Sequence, residues 1–99
     1  IHLNEFTGTI PSEMRGLTSL NELELSYNDL HGSIPATIGE LGNLLHLVIE
    51  NCNLTGTIPP SLGNLTTLEQ LDLENNFLTG SIPDLRTLTN LIELDLENN

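Results

Sequence analysis

The fold is decided by the stretch at residues 71–83, which reads LDLENNFLTGSIP. Its final part recurs along the chain, because a glycine stands two positions before an Ile-Pro pair every 24 residues, at Gly8, Gly32, Gly56 and Gly80. A fixed period in the range of about 20–50 residues is typical of repeat architectures, in which each turn of the chain buries its apolar side against its neighbours. The sequence therefore predicts a stack of similar turns, and function has to be sought among the positions that face solvent.

The first part of the repeat alternates between apolar and polar residues. This alternation occurs at residues 23–28, 47–52, 71–76 and 94–99, and residues 1–4 are the tail of another such segment. A period of two predicts a strand that is buried on one face only. The leucines that follow lie in columns that stack on themselves in successive turns, which predicts one continuous core. One turn is a residue shorter, between Pro83 and Leu85.

These residues resemble the plant-type leucine-rich repeat, L-x-x-L-x-x-L-x-L-x-x-N-x-L-x-G-x-I-P-x-x-L-x-x-L, over essentially the whole chain. The resemblance implies an α/β-type repeat solenoid, a right-handed superhelix with a parallel concave β-sheet, a second short strand through L-x-G-x-I, and short 3₁₀ or irregular convex turns. It also implies a single domain, 1–99, of about four repeats. Because no polar or Cys-rich cap is visible, we expect these residues to be an excerpt of a longer array.

One column of the repeat is polar although it lies next to the core. We expect its side chains to satisfy backbone groups in the bend after each strand, since an asparagine amide both donates and accepts hydrogen bonds. Cys52 takes this position once, where a small buried thiol fits, and a buried thiol is structural rather than reactive. The predicted asparagine ladder consists of Asn4, Asn28, Asn76 and Asn99.

Charge is the strongest indication of function. The chain has 14 acidic and two basic residues and a formal net charge of −12, so nucleic acids and anionic membrane surfaces are poor partners. Eight of the 14 acids fall at outward-facing positions of the predicted concave strands. Like charges in register are destabilising unless they are well solvated, so this face is either a solvated surface or a strip that attracts a basic protein or peptide. The predicted partner-binding residues are Glu22, Glu24, Ser26, Tyr27, His46, Val48, Glu50, Asn51, Gln70, Asp72, Glu74, Asn75, Glu93, Asp95 and Glu97.

Two other surfaces offer alternatives. Threonine and serine flank the repeated glycine, and a flat array of hydroxyls resembles the ice-binding face of some solenoid antifreeze proteins, although His31 interrupts the array. The ends of an uncapped stack allow end-to-end self-association into an assembly. A calcium site at the clustered acids is not predicted, because a gently curved sheet does not surround a cation that takes six to eight oxygens.

Catalysis is not predicted. No nucleophile lies in a paired arrangement with a base, no Gly-rich phosphate loop is present, and the sequence indicates no cofactor and no metal. The sequons at Asn53 and Asn64 are candidate glycosylation sites. With the usual location of the family they indicate an extracellular protein, either a receptor-like ectodomain or a secreted inhibitor of a wall-degrading enzyme. The chain has no long apolar run, so membrane attachment would require a parent chain.

Overall fold

The computed structural model describes residues 5–99, which form seven short strands and three 3₁₀ helices. The strands are β1 (Thr7–Gly8), β2 (Glu22–Glu24), β3 (Asp29–Gly32), β4 (His46–Val48), β5 (Asn53–Leu54), β6 (Gln70–Asp72) and β7 (Glu93–Asp95). The 3₁₀ helices are η1 (Ser12–Gly16), η2 (Ala36–Glu40) and η3 (Pro60–Asn64). The turns that begin at β2 and β4 thus run from a strand through a second strand to a short helix, as the repeat predicts.

The strands form two parallel sheets. The concave sheet has the order β2-β4-β6-β7, and the second sheet has the order β1-β3-β5. Leu23 pairs with Leu47, Leu47 with Leu71, and Leu71 with Leu94, so equivalent positions of successive turns lie side by side. An isolated bridge between Thr57 and Thr79 extends the second sheet by one turn. The predicted second strand is therefore present, and it begins before the L-x-G-x-I segment in β3 and β5.

The core is a stack of leucine and isoleucine columns. Leu23, Leu47 and Leu71 of the concave strands are fully buried, and Leu41 and Leu65 are equally buried behind the helices. Burying a leucine side chain contributes about 1.5–3 kcal/mol, and in this fold the contribution requires a turn on each side.

Two leucines predicted to be in the core are more exposed than expected. Leu17 is 46% exposed and Leu94 is 49% exposed, because each belongs to an outer turn of the described stack and is covered by a neighbouring turn on one side only. The same geometry leaves Ile82 at 62% exposed. The column pattern identifies the inward direction correctly, but burial also depends on how many turns cover a position.

The asparagine ladder is confirmed in the described residues. Asn76 donates from Nδ2 to the carbonyl oxygens of Ile49 (2.7 Å), Leu73 (3.1 Å) and Glu74 (3.1 Å), and its Oδ1 accepts from the N–H of Leu54 (3.2 Å). Asn28 and Asn99 bond backbone groups in the same manner. Asn4 lies outside the described residues. The ladder satisfies buried backbone groups at each bend, which would otherwise be unpaired.

Cys52 performs part of the same task. Its Sγ lies 3.4 Å from the carbonyl oxygen of Leu25 and 3.5 Å from that of Glu50, so the thiol donates weakly into the bend. Burial raises the pKa of the Cys52 thiol, an effect that nearby backbone groups only partly offset. The side chain is therefore held as a neutral thiol, consistent with a structural role.

Glycine is required for two different reasons. Gly8, Gly32, Gly56 and Gly80 all have positive φ, between 77° and 100°, which L side chains rarely adopt. Gly39 has ordinary dihedrals but lies against the next turn. A Cβ there would overlap the backbone oxygen of Ser61 and lie 2.7 Å from its Cβ. The convex side is thus packed more tightly than its irregular sequence indicates.

Each 3₁₀ helix begins after the proline of an Ile-Pro pair. Pro11, Pro35 and Pro59 stand at the N-cap positions with φ between −75° and −67°, values that proline adopts naturally. The shortened turn after Pro83 contains no such helix. There Arg86 bonds Asp84 through its side chain, with Nη2 2.8 Å from Oδ2, and this contact lowers the pKa of the Asp84 carboxyl. The turn that is one residue shorter thus contains an ion-paired loop where the preceding turns have a 3₁₀ helix.

Candidate recognition surface

The acidic strip is formed by three columns of outward side chains on the concave sheet. Register aligns Glu22 with His46, Gln70 and Glu93 in the first column. In the second column Asp72 lies directly beside Asp95, as predicted. Every acid of the strip is exposed or half-buried. We define the acidic strip by its eight carboxylates, which are Glu22, Glu24, Glu50, Asp72, Glu74, Glu93, Asp95 and Glu97.

The carboxylates are most concentrated at the later turns. Glu74, Asp95 and Glu97 each contribute one carboxylate oxygen to a cluster, and these three oxygens all lie within 4.8 Å of one another. The pKa of the Glu74 carboxyl is raised, and the largest cause is a hydrogen bond that this carboxyl shares with the Glu50 side chain. Burial and the neighbouring charges, Asp95 first, raise it further. The face holds mutually repelling charges that a cationic group would relieve.

Two acids of the strip also have a structural task. Asp72 Oδ1 accepts a hydrogen bond from the N–H of Glu74 (3.1 Å), and Asp95 Oδ1 accepts from the N–H of Glu97 (3.0 Å). In the turn where Val48 occupies this column, no such carboxylate exists. The equivalent N–H, that of Glu50, bonds instead to a hydroxyl of the preceding turn.

That hydroxyl belongs to Ser26, which was predicted to face outward. Ser26 is buried, with 4% of its surface exposed, and its Oγ lies 3.2 Å from the nitrogen of Glu50. The prediction of an outward side chain is wrong, because an orphan N–H in the neighbouring turn draws the hydroxyl inward. The alternation within one strand does not predict the burial of Ser26, because that burial depends on a backbone N–H of the next turn.

The strip is bordered by a column with left-handed backbone. Tyr27, Asn51, Asn75 and Asn98 have φ between 53° and 57°. Asparagine tolerates this region better than other residues with a Cβ, whereas tyrosine there is uncommon. Tyr27 is 69% exposed, so its ring stands in solvent beside the acids. Tyr27, Asn51 and Asn75 are among the predicted partner-binding residues, but the strand alternation does not predict their backbone conformation. The recurrence of asparagine in this column is the signal that could have revealed it.

The threonine and serine flank is exposed at several of its positions. Thr7, Thr9, Thr55 and Thr57 are exposed, but the second sheet pairs successive turns with an offset of two residues, so that Thr7 lies beside Asp29 and His31 beside Asn53. A Cβ on Gly80 would lie 2.9 Å from Thr57 Cγ2, so the absence of a side chain makes room for the threonine methyl of the preceding turn. The flank is thus a mixed polar surface, in which the Thr79 hydroxyl donates to the carbonyl oxygen of Gly56 at 3.3 Å.

The two sequon asparagines are both accessible. Asn64 lies exposed at the end of η3 on the convex side. Asn53, predicted to be the less accessible, is also exposed, and its Nδ2 donates to Asp29 Oδ1 at 3.0 Å. Either side chain is accessible from solvent.

The repeated turns, the concave parallel sheet and the asparagine ladder define a leucine-rich-repeat solenoid of the plant type. The family model of the leucine-rich repeat region matches residues 2–99, and the chain belongs to this family. No curated protein sequence matches the chain significantly. Within the described residues, no helix has the length and apolar character needed to cross a membrane.

Solved structures of plant receptors are similar to the chain. A TDR receptor is 43% identical with a TM-score of 0.93, over 98% of this chain and 17% of the receptor chain. The Arabidopsis receptor kinase HAESA, solved with the peptide hormone IDA and the co-receptor SERK1, is 41% identical with a TM-score of 0.90, over 94% of this chain and 16% of that one.

A protein of another function is equally similar in fold. A plant ice-binding protein is 36% identical with a TM-score of 0.92, over 98% of this chain and 33% of its own. The chain thus spans a third or less of each of these three proteins. These proteins share the fold of this chain over the matched residues, which are a minor part of each of their own chains.

Proposed function

We propose that the chain is a protein- or peptide-recognition module in a segment of an extracellular, receptor-like repeat array, and that it is not itself an enzyme. The similarity to receptor structures, one of them solved with a peptide hormone and a co-receptor, supports a recognition role. The accessible sequons at Asn53 and Asn64 are compatible with glycosylation in that location. The described residues also offer a continuous exposed surface rather than a closed catalytic pocket.

The acidic strip would bind a basic protein or peptide. The observation that carries this proposal is the crowding of Glu74, Asp95 and Glu97, which costs free energy in the free protein. A lysine or arginine side chain placed among them would relieve the repulsion and gain charge-assisted hydrogen bonds. Long-range attraction by the net charge of −12 would also accelerate encounter with a basic partner.

A titration with a synthetic arginine-rich peptide tests this function. The variant Asp72→Asn/Glu74→Gln/Asp95→Asn/Glu97→Gln should weaken binding by about tenfold or more, and added salt should weaken binding of the parent chain. A control variant removes the same net charge from exposed acids outside the strip, at Glu5, Glu13, Asp29 and Glu40. If both variants bind the peptide equally, the strip is a solvated surface and the proposal fails.

Ice binding is a second candidate, favoured by the similarity to a plant ice-binding protein and by the exposed threonines of the flank. It would use Thr55, Thr57 and their equivalents and leave the acidic strip free. Thr55→Tyr/Thr57→Tyr should abolish any inhibition of ice recrystallisation by the chain. The variant Asp72→Asn/Glu74→Gln/Asp95→Asn/Glu97→Gln, which neutralises four acids of the strip, should leave this activity unchanged. Absence of activity in the parent chain would eliminate the candidate.

End-to-end self-association is also testable. Ile92 is 84% exposed on the last turn, and an apolar cavity of about 240 Å³ lies on the opposite end of the described stack, between Phe6, Met14 and Leu17. A second copy stacked on the first would cover such surfaces. Mass measured across protein concentration should then rise, and Ile92→Lys should prevent the rise. A mass that stays at the monomer value at every concentration would contradict self-association.

A further inference from the structure

A neutral groove lies beside the acidic strip, where three successive turns cross from the concave sheet to the second sheet. Its volume is about 370 Å³. Asn51 and Asn53 contribute from one turn, Asn75 and Phe77 from the next, and Asn98 from the third. None of the residues that line the groove is ionisable at neutral pH, although the chain as a whole carries a formal charge of −12. A charged ligand therefore gains no ion pair from the groove lining itself.

The deeper side chains of the groove already form hydrogen bonds with backbone groups of the protein. The Asn76 amide bonds three carbonyl oxygens and one N–H, and the Cys52 thiol points at two carbonyl oxygens. The outer side chains make fewer hydrogen bonds to the protein. Among the residues that the structure describes, the amides of Asn75 and Asn98 make no hydrogen bond to the protein, while Asn51 bonds only Glu50 Oε2 at 3.2 Å. The rim thus carries a ladder of amide groups open to a ligand.

The backbone fixes this ladder at strand spacing. Asn51 N donates to Glu74 O (3.1 Å), and Asn75 N donates to Glu97 O (3.0 Å), so equivalent amides repeat about every 4.8 Å. The same bonds leave the groove no free N–H at these positions to pair with an added peptide strand. Recognition by strand addition, which relies on free main-chain groups, is therefore excluded there.

One aromatic ring completes the site. Phe77 is 63% exposed, and its N–H is held by Leu54 O at 2.8 Å. The equivalent positions in the two preceding turns, Asn53 and Asp29, are polar, so Phe77 is not required by the repeat. The groove therefore combines one apolar ring face with adjacent amides, each offering both donors and an acceptor.

We propose that this groove binds a neutral oligosaccharide. A sugar ring has an apolar C–H face that can lie on the Phe77 ring, and its hydroxyls both donate and accept, as the amides of Asn51, Asn75 and Asn98 require. A linear neutral glycan repeats this chemistry along its length, as the groove does along the solenoid axis. The site is separate from the peptide-binding function proposed for the acidic strip.

Two-dimensional NMR of the 99-residue chain tests the proposal, with cellohexaose, xylohexaose and mannohexaose as neutral probes. At least one should shift the side-chain amide signals of Asn51, Asn75 and Asn98, with a Kd of about 1 mM or below. Oligogalacturonate, an anionic glycan, should bind at least about tenfold more weakly because of the adjacent acidic strip.

Variants separate stacking from nonspecific effects. Phe77→Ala should weaken the sugar binding by about tenfold, and Phe77→Trp should retain it. Asp72→Asn, in the acidic strip, should leave it unchanged and so distinguishes this site from the peptide site. The inference is overturned if none of the neutral sugars shifts the amide signals, if Phe77→Ala binds as the parent chain does, or if the anionic glycan binds best.

Discussion

Replacement of Asn76 by alanine is the most direct test of how the turns are held together. The Asn76 side chain bonds the backbone of its own turn and of the preceding one. Its loss does not affect all four partners equally. The carbonyl of Leu73 also accepts from Asn99 Nδ2, and the carbonyl of Glu74 also accepts from the N–H of Asn51. Those two groups keep a partner after the substitution.

The other two backbone groups lose their hydrogen bonds to the Asn76 side chain. The N–H of Leu54, a fully buried residue, has Asn76 Oδ1 as its acceptor, and the carbonyl of Ile49, also fully buried, accepts from Asn76 Nδ2 at 2.7 Å. An unsatisfied buried polar group costs about 1–3 kcal/mol. Two such groups give an expected loss of about 3–4 kcal/mol in the free energy of unfolding, allowing for partial rearrangement. That is a large part of the 5–15 kcal/mol typical of a domain.

Urea unfolding followed by circular dichroism measures this loss. Asn64→Ala serves as the control, because Asn64 is exposed and its side chain makes no hydrogen bond in the described structure. The control should change stability by less than about 0.5 kcal/mol. A loss below about 1 kcal/mol for Asn76→Ala would refute the reasoning, since the ladder would then be dispensable for the stack.

Three further predictions concern stability. Gly39→Ala should cost about 1–3 kcal/mol because its Cβ meets the next turn, whereas Gly42→Ala, with open space around it, should be tolerated; thermal unfolding compares them. The pKa of Glu74 is raised on folding, so its ionised form opposes folding above that pKa and the penalty disappears as pH falls through it. Glu74→Gln should therefore raise the unfolding midpoint at about pH 7 and have a smaller effect at about pH 4, and equal effects would contradict this sign. Ser26→Ala should cost about 1–3 kcal/mol, and adding Val48→Asp should recover part of it by supplying the carboxylate found in the later turns, as equilibrium unfolding of the double variant would reveal.

Most of the fold was predictable because the repeat constrains each position several times over. The four glycines with positive φ, the concave strands and the asparagine ladder at Asn28, Asn76 and Asn99 all follow from residue type and period. Each of these positions has the same physical requirement in every turn. A single sequence therefore contains repeated evidence for the same local structure.

Other features depend on exceptions to the repeat, and these could not be predicted in the same way. The burial of Ser26 follows from the absence of a carboxylate at Val48 in the next turn. The neutral groove combines Phe77, an isolated departure from its column, with amides whose orientation depends on the left-handed backbone. Periodicity reports what turns have in common, whereas these features arise where neighbouring turns differ.

The in-register columns also set a spacing rule for any partner that lies along the solenoid axis. Equivalent side chains of the concave sheet repeat about every 4.8 Å, whereas alternate residues of an extended strand repeat about every 6.7 Å, so such a partner loses register within two turns. A polyproline II segment advances about 9.3 Å in three residues, close to two strand spacings. In the second column Glu24 and Asp72 stand two turns apart with Val48 between them. A basic residue at every third position of such a segment would meet carboxylates in alternate turns.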